Sequence, residues 1–472
     1  MKLRWRTPTG GAAVLVAAAA LVGSGLAAAG TAATEDRGAG RPPACAKAEG
    51  PGQPPAPPSR PTLTTVGQVY RCIFDNYYSG PTLDSRSLLV PAFAAITQEM
   101  QRRGLDQPAA GLPPLTGRRN PDWAAFAGTY ERIAGALPDD ESRARVAAAA
   151  IQAMVDELDD NHARWTSKFT PNPYGLELSV SRAPGVTDPA AGEPAHVRRI
   201  AAGSPAANAG LRPGDVIQAV NDVPLYTNGV VGTGALAWLT DGAPGSTVKV
   251  TARRPVTGET LTVNLVATRY PPPPLDGFES RLLDGNIAYV GMSGFSPDLA
   301  DKVLATIAEM RTRAELRGVI LDLRGNGGGS PKAVEKLLGA LAHGRITSYW
   351  CDVKGKCRPN HTDDSVALLN LPFVALTDRQ CLSACDSFAG AVKDLELGTL
   401  VGTRTAGFVS GPGETYRLDN GSLLTLPKYH EISADKKIVD TIGVAPDHYV
   451  PATAADLSAG RDPALDKARS LM

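Results

Sequence analysis

Neither sign of charge is in excess: 48 lysines and arginines face 48 acids in 472 residues. No net basic field therefore marks nucleic acid or an anionic membrane as a partner. Beyond the N-terminal leader no apolar run approaches the roughly 20 residues a spanning helix needs. Histidine and cysteine are scarce, six of each, and they do not cluster at ligand spacing, so no metal is expected. What remains is an ordinary globular composition, 43% apolar and 20% charged, long enough for two or three domains of roughly 100–200 residues.

The leader itself begins with Lys2, Arg4 and Arg6. It continues through an Ala/Val/Leu run, Ala12 to Leu26, and ends in small residues at 27–29 or 31–33. This is a secretory signal peptide over 1–34; Gly23 and Gly25 interrupt the run and argue against an uncleaved anchor. No cysteine follows it closely, so no lipid anchor is expected. The mature protein is then secreted or extracytoplasmic, with association to the cell surface open and no stable span after cleavage. An even cysteine count in an exported chain favours disulfides, and the three local pairs, Cys45–Cys72, Cys351–Cys357 and Cys381–Cys385, are the economical arrangement.

Residues 35–60 read as a Pro-rich linker. From 61 to 170 the apolar spacing is helical, as in Val69, Tyr70, Ile73 and Phe74, and this subdomain ends in the acidic turn around Asp160 and His162. Residues 171–270 change to short strands, with a Ser204-capped helical turn stopped by Gly210. Residues 280–455 alternate strands and helices, which argues an α/β (α+β) core of mixed sheet with its site on strand-end loops. Residues 456–472 are assigned as a C-terminal tail.

Two stretches of that core carry chemistry. LDLRGNGGGSP, residues 321–331, places three glycines after a buried strand, where backbone N–H groups can converge. A flexible loop, a phosphate cradle and an oxyanion hole all fit, though the Gly-Lys-Ser/Thr ending of a phosphate loop is missing. FVALTDRQCLSACDSFAGAVKDL, residues 373–395, is a strand, a turn and an amphipathic helix, with Ser383 where turn becomes helix. There a serine is either an N-cap or a nucleophile in the positive field of a helix start.

Together, DLRGNGGG and the downstream TDRQCLSACDSFAGAVKDLELGTLVGTRTAG resemble the C-terminal-processing (tail-specific) serine protease family. The segment SPAANAGLRPGDVIQAVNDVPL, residues 204–225, resembles a PDZ domain of the bacterial protease type. The first resemblance implies a nucleophile at Ser383 and an oxyanion hole from Ala384 N–H with Gly328 or Gly329. Asp386 replaces the more usual Glu, and Arg324 and Asp322 would hold the glycine loop. The PDZ resemblance implies a peptide-binding edge at Gly175, Leu176 and Leu178, taking the C-terminus of a protein or peptide substrate. The lysine-using branch would carry its base where Phe408 stands, and Lys393 lies about 15 Å along the helix axis from Ser383. A histidine-using branch, similar to the tricorn protease core, implies His162 as base and Asp440 as orienting acid, with His430 as a fallback base and Glu431, Asp435 and Asp447 as other acids.

The expected function is thus an exported serine endopeptidase working through an acyl-enzyme on Ser383, which implies no organic cofactor. An inactive peptide- or ligand-binding protein on the same fold is the alternative, and a lysine base from an unexpected position is a second. Substrate and oligomeric state are not legible.

Overall fold

The computed structural model describes residues 45–48, 58–108, 110–160, 162–166, 174–179, 195–227, 230–231, 233–240, 245–268 and 277–472. The leader 1–34, most of the linker and the far side of the Leu178 strand's entry into residue 195 lie outside the described residues. Among the described residues no helix is long and apolar enough to cross a membrane.

The fold is mixed α/β with a helical N-terminal region and a PDZ-type β domain. Its central sheet has the strand order Phe278–Leu283, Ile287–Met292, Gly318–Asp322, Phe373–Thr377, Thr399–Gly402, His448–Tyr449, antiparallel at the first pair and parallel thereafter. Gly318–Asp322 and Phe373–Thr377 are buried at every position, as continuous apolar strands covered on both faces must be. On one face lie the helices Pro297–Arg313, Pro331–Gly339 and Ala384–Asp394, with Val303, Leu337 and Phe388 packed on Val290, Leu321 and Ala375. On the other, Ala464 and Ala468 of the helix Pro463–Arg469 pack on Ile320, Val374 and Leu376. The segment read as a tail is therefore two short helices, Ala454–Ser458 and Pro463–Arg469, and the second closes the core.

The N-terminal helices Leu63–Asn76, Ser85–Arg102, Arg119–Gly135 and Asp140–Asp156 follow the apolar spacing of the sequence. Their core is shared with a hairpin from far downstream, Gly413–Arg417 and Leu423–Pro427, which contributes Tyr416, Leu424 and Leu426. The short strand Arg164–Thr166 adds to that hairpin, Trp165 opposite Leu424. This pairing is what carries His162 from the helical region to the side of the core where Ser383 lies.

The PDZ-type sheet has the order Thr260–Val266, Thr247–Arg253, Val216–Val220, His196–Ile200, Leu176–Ser179, so among the described residues the last strand is an edge. All six cysteines are bridged in the three local pairs expected from the sequence.

Candidate active site

Ser383 occupies the first position of the turn-to-helix junction after the strand Phe373–Thr377, at φ 61° and ψ −120°. A non-glycine residue is rarely found there, and such strain gathers at functional sites. Three contacts hold it. The Cys381–Cys385 disulfide closes a small ring around it. The Asp386 carboxylate accepts the Ser383 N–H at 3.0 Å. Gly328 lies directly against it, since a Cβ on Gly328 would stand 2.7 Å from Ser383 Cβ. The N-cap reading and the nucleophile reading thus describe the same residue: it begins the helix, and it also faces a cavity.

That cavity has a volume of about 270 Å³, and Ser383, Ala384, Gly329 and His162 all line it. The two glycines differ. The Gly328 N–H is donated to Asn326 Oδ1 at 2.9 Å, whereas the Gly329 N–H finds no acceptor among the described residues. The Ala384 N–H is a first-turn amide, which a helix leaves without an internal acceptor. Asn326 is itself buried and donates to Met292 O at 2.9 Å, so the glycine loop is fixed from below.

His162 is half-buried. Burial above all lowers its pKa below the ordinary 6.5; Asp160 pulls it back up and Arg164 presses it down. A neutral imidazole is what a general base requires. The Phe408 ring, at the place where a lysine would stand, lies 6.2 Å from the His162 ring. Asp440 accepts the N–H of the next residue, Val409, at 3.3 Å, but is not among the residues lining the cavity. His430 does not line it either; its ring packs on Tyr78 at 5.5 Å. Lys393 is held away by Asp447 at 2.9 Å and by Ala445 O at 2.7 Å. No lysine lines the cavity among the described residues.

Asp386 joins the Ser383 turn to the loop before Phe408. It accepts the Gly407 N–H at 2.9 Å and the Phe408 N–H at 3.0 Å. Burial pushes its pKa up to about 6, against the opposing pull of the Thr405 hydroxyl and these amides. Arg324 is bound by Asp322 and by Asp462, at 2.7–2.8 Å for the latter, which ties the glycine loop to the C-terminal helix.

Some functional neighbours escaped the sequence reading. Ser387 lines the cavity one helical turn after Ser383, a position the i, i+4 spacing alone would have put on the same face. Arg198 reaches from the PDZ-type strand to Asp378 Oδ2 at 2.9 Å and to Gln380 Oε1 at 2.5 Å. Asp378 in turn accepts the Gly325 N–H at 3.0 Å. Nothing in the spacing of Arg198 announces that contact.

In the PDZ-type domain Gly175, at φ +71°, leaves no room for a side chain: a Cβ would stand 2.1 Å from Ser204 Cβ. Leu176 is buried in the domain core, and Leu178 pairs through its backbone with Val197.

Residues 286–450 match the model of peptidase family S41, and residues 196–254 match a PDZ domain. The chain is 30% identical over 319 residues to the chloroplastic carboxyl-terminal-processing peptidase 2 of Arabidopsis thaliana, covering 64% of this chain and 60% of that protein. It is 22% identical over 348 residues to the carboxy-terminal processing protease CtpB of Bacillus subtilis, covering 72% and 71%. Tricorn protease homolog 1 of Streptomyces coelicolor is 35% identical over 166 residues, 34% of this chain and 15% of that protein. The chain thus spans 60% of the Arabidopsis protein's length. Mature CPAF has the same fold, with a TM-score of 0.54 at 16% identity over 87% of this chain and 96% of that one. Residues 286–450 are thus an S41-type peptidase core, adjoined by a PDZ-type domain, and the chain is similar to C-terminal-processing peptidases.

Proposed function

We propose that this protein is an exported serine endopeptidase. Ser383 Oγ attacks the scissile carbonyl and gives its proton to His162, which then protonates the leaving amine; water releases the acyl-enzyme by the reverse roles. The N–H groups of Ala384 and Gly329 take the oxyanion, the Gly328 amide being occupied by Asn326. Asp440 is the orienting acid, acting through the 408–409 segment or a water. The observation that carries the reading is that Ser383 and His162 line one cavity with no lysine on its described walls. It favours the histidine-using branch over the Ser–Lys branch.

The PDZ-type domain, taken as residues 171–270, presents Leu176–Ser179 as the edge of its described sheet, to which a substrate C-terminus adds as a strand. Three disulfides suit an oxidising compartment, in keeping with a leader over 1–34. The helical subdomain takes 61–170 and the catalytic core 280–455.

A fluorophosphonate probe decides between this enzyme and an inactive binding protein on the same fold. Wild type should label and Ser383→Ala should not. Absence of label on folded wild type supports the binding protein instead. Near-normal hydrolysis by His162→Ala would exclude histidine as the base.

A further inference from the structure

The mechanism above leaves one buried acid without a task. Glu431 lies on the strand His430–Ser433, directly across from Trp350 of the strand Ile346–Cys351. It is only 8% exposed, yet it lines the same cavity as Ser383. Its carboxyl accepts the Trp350 Nε1–H at 3.2 Å and the hydroxyls of Ser348 and Ser387. All three donors are neutral, and no cation pairs with it among the described residues. A carboxyl taken out of water without a counter-charge is costly, and burial drives it toward the neutral form. Apolar residues of similar size would fill this space more cheaply.

Position gives the acid a purpose. Ser387 follows Ser383 by one helical turn, about 5–6 Å, and Glu431 is one hydrogen bond further on. A side chain flanking the scissile carbonyl would reach it. Pro331, Val334, Trp350 and Pro427 give the cavity apolar wall beside its polar lining of Thr347, Ser348, Asn360, Ser410 and Thr425, and a methylene stem can lie along the apolar part.

We infer that this cavity is the specificity pocket for the residue preceding the cleaved bond, and that Glu431 makes it select lysine or arginine. This rests on the acyl-enzyme at Ser383. The desolvation of Glu431 is already met in the folded protein, so a cationic head group entering the pocket supplies the charge partner the fold withholds. A neutral side chain of the same length leaves the acid unpaired, and a site built around a polar partner rejects the analogue lacking it. Two other charged groups line the cavity, Arg164, which is exposed, and Glu335, which is paired with Lys332 at 2.7 Å; their solvent contact screens them.

The test uses full-length mature protein and a random peptide mixture, with cleavage positions read by mass spectrometry, followed by matched peptides carrying Lys, Arg, norleucine, Leu or Gln before the cleaved bond. Lys and Arg should exceed norleucine roughly tenfold or more in kcat/KM, and Glu431→Gln should bring that ratio near unity. Norleucine or Leu equal to or better than Lys overturns the inference. Gln as the best residue also overturns it, since a neutral Glu431 would then be reading an amide. Binding of the same peptides to Ser383→Ala provides a measure independent of turnover and of how well Glu431→Gln folds. If wild type cleaves nothing, the nucleophile assignment fails, and the Lys-to-norleucine affinity ratio of Ser383→Ala still decides: roughly tenfold supports the pocket, equality sinks it.

Discussion

Ser383 holds a backbone conformation in which a serine is strained by about 1–3 kcal/mol. Ser383→Gly should therefore abolish hydrolysis while raising stability by about 1 kcal/mol. Ser383→Ala should abolish hydrolysis with no such gain. Denaturant melts of both variants check this; a glycine variant no more stable than the alanine one would mean that the turn is relaxed. At His162 the sign of the pH effect follows from its lowered pKa. With His162 as the proposed base, which works only when neutral, kcat/KM should fall on the acid side with a midpoint below 6.5. Arg164→Ala removes a like charge and should move that midpoint upward. A limb well above 6.5 would point to a different base. Ser383 was legible as a residue because its neighbours on either side carry a recognisable pattern. His162 was legible only through the place it holds after the last N-terminal helix, since nothing local marks a histidine as a base.

The strand–turn–helix unit depends on its ties. A disulfide spanning four residues closes so small a ring that, by chain entropy, it stabilises by only about 2 kcal/mol. Its larger effect should be on geometry. Replacing Cys381 and Cys385 together by serine should lower kcat with KM little changed, measured on one peptide under identical conditions. Equal losses in labelling rate and thermal stability would argue that the unit has simply unfolded. Arg198 links the PDZ-type strand to the same turn through Asp378 and Gln380. Arg198→Ala should cost about tenfold in kcat/KM, because a half-buried charge-assisted pair orients Asp378 and, through it, the Gly325 amide. The helices themselves were foreseeable from 3.6-residue spacing. The partners of their ends were not, because a hydrogen bond between residues 180 apart leaves no trace in periodicity.

For the whole molecule, the last eleven residues matter more than their place at the terminus suggests. Ala464 and Ala468, with Leu465 and Met472, cover the second face of the central sheet, and Asp462 binds Arg324 of the glycine loop. Truncation after Arg461 should cost about 3 kcal/mol from lost apolar burial alone and should lower activity further by freeing Arg324. Thermal melts and peptide turnover on the truncated chain test both. An unchanged melting temperature would show that the helix is dispensable. The alternating strands and helices of the core predicted an α/β core, but the C-terminal segment is too short and too weakly patterned to announce itself as the cover of one sheet face.

The sequence by itself determined the helices of the N-terminal region, the strand–turn–helix unit around Ser383 and the glycine loop, because each is written in neighbouring residues: apolar spacing, a turn between two apolar patterns, glycines in a row. Tertiary structure decided what lies between distant segments. The pairing of Arg164–Thr166 with Leu423–Thr425 carries His162 to the cavity of Ser383. The Asn326 side chain occupies the Gly328 amide, leaving that of Gly329. The cross-strand register of Trp350 and Glu431 puts an acid in the same cavity. The first and third rest on pairing between segments far apart in the chain, and the second on the folded shape of the glycine loop, none of which local propensity encodes.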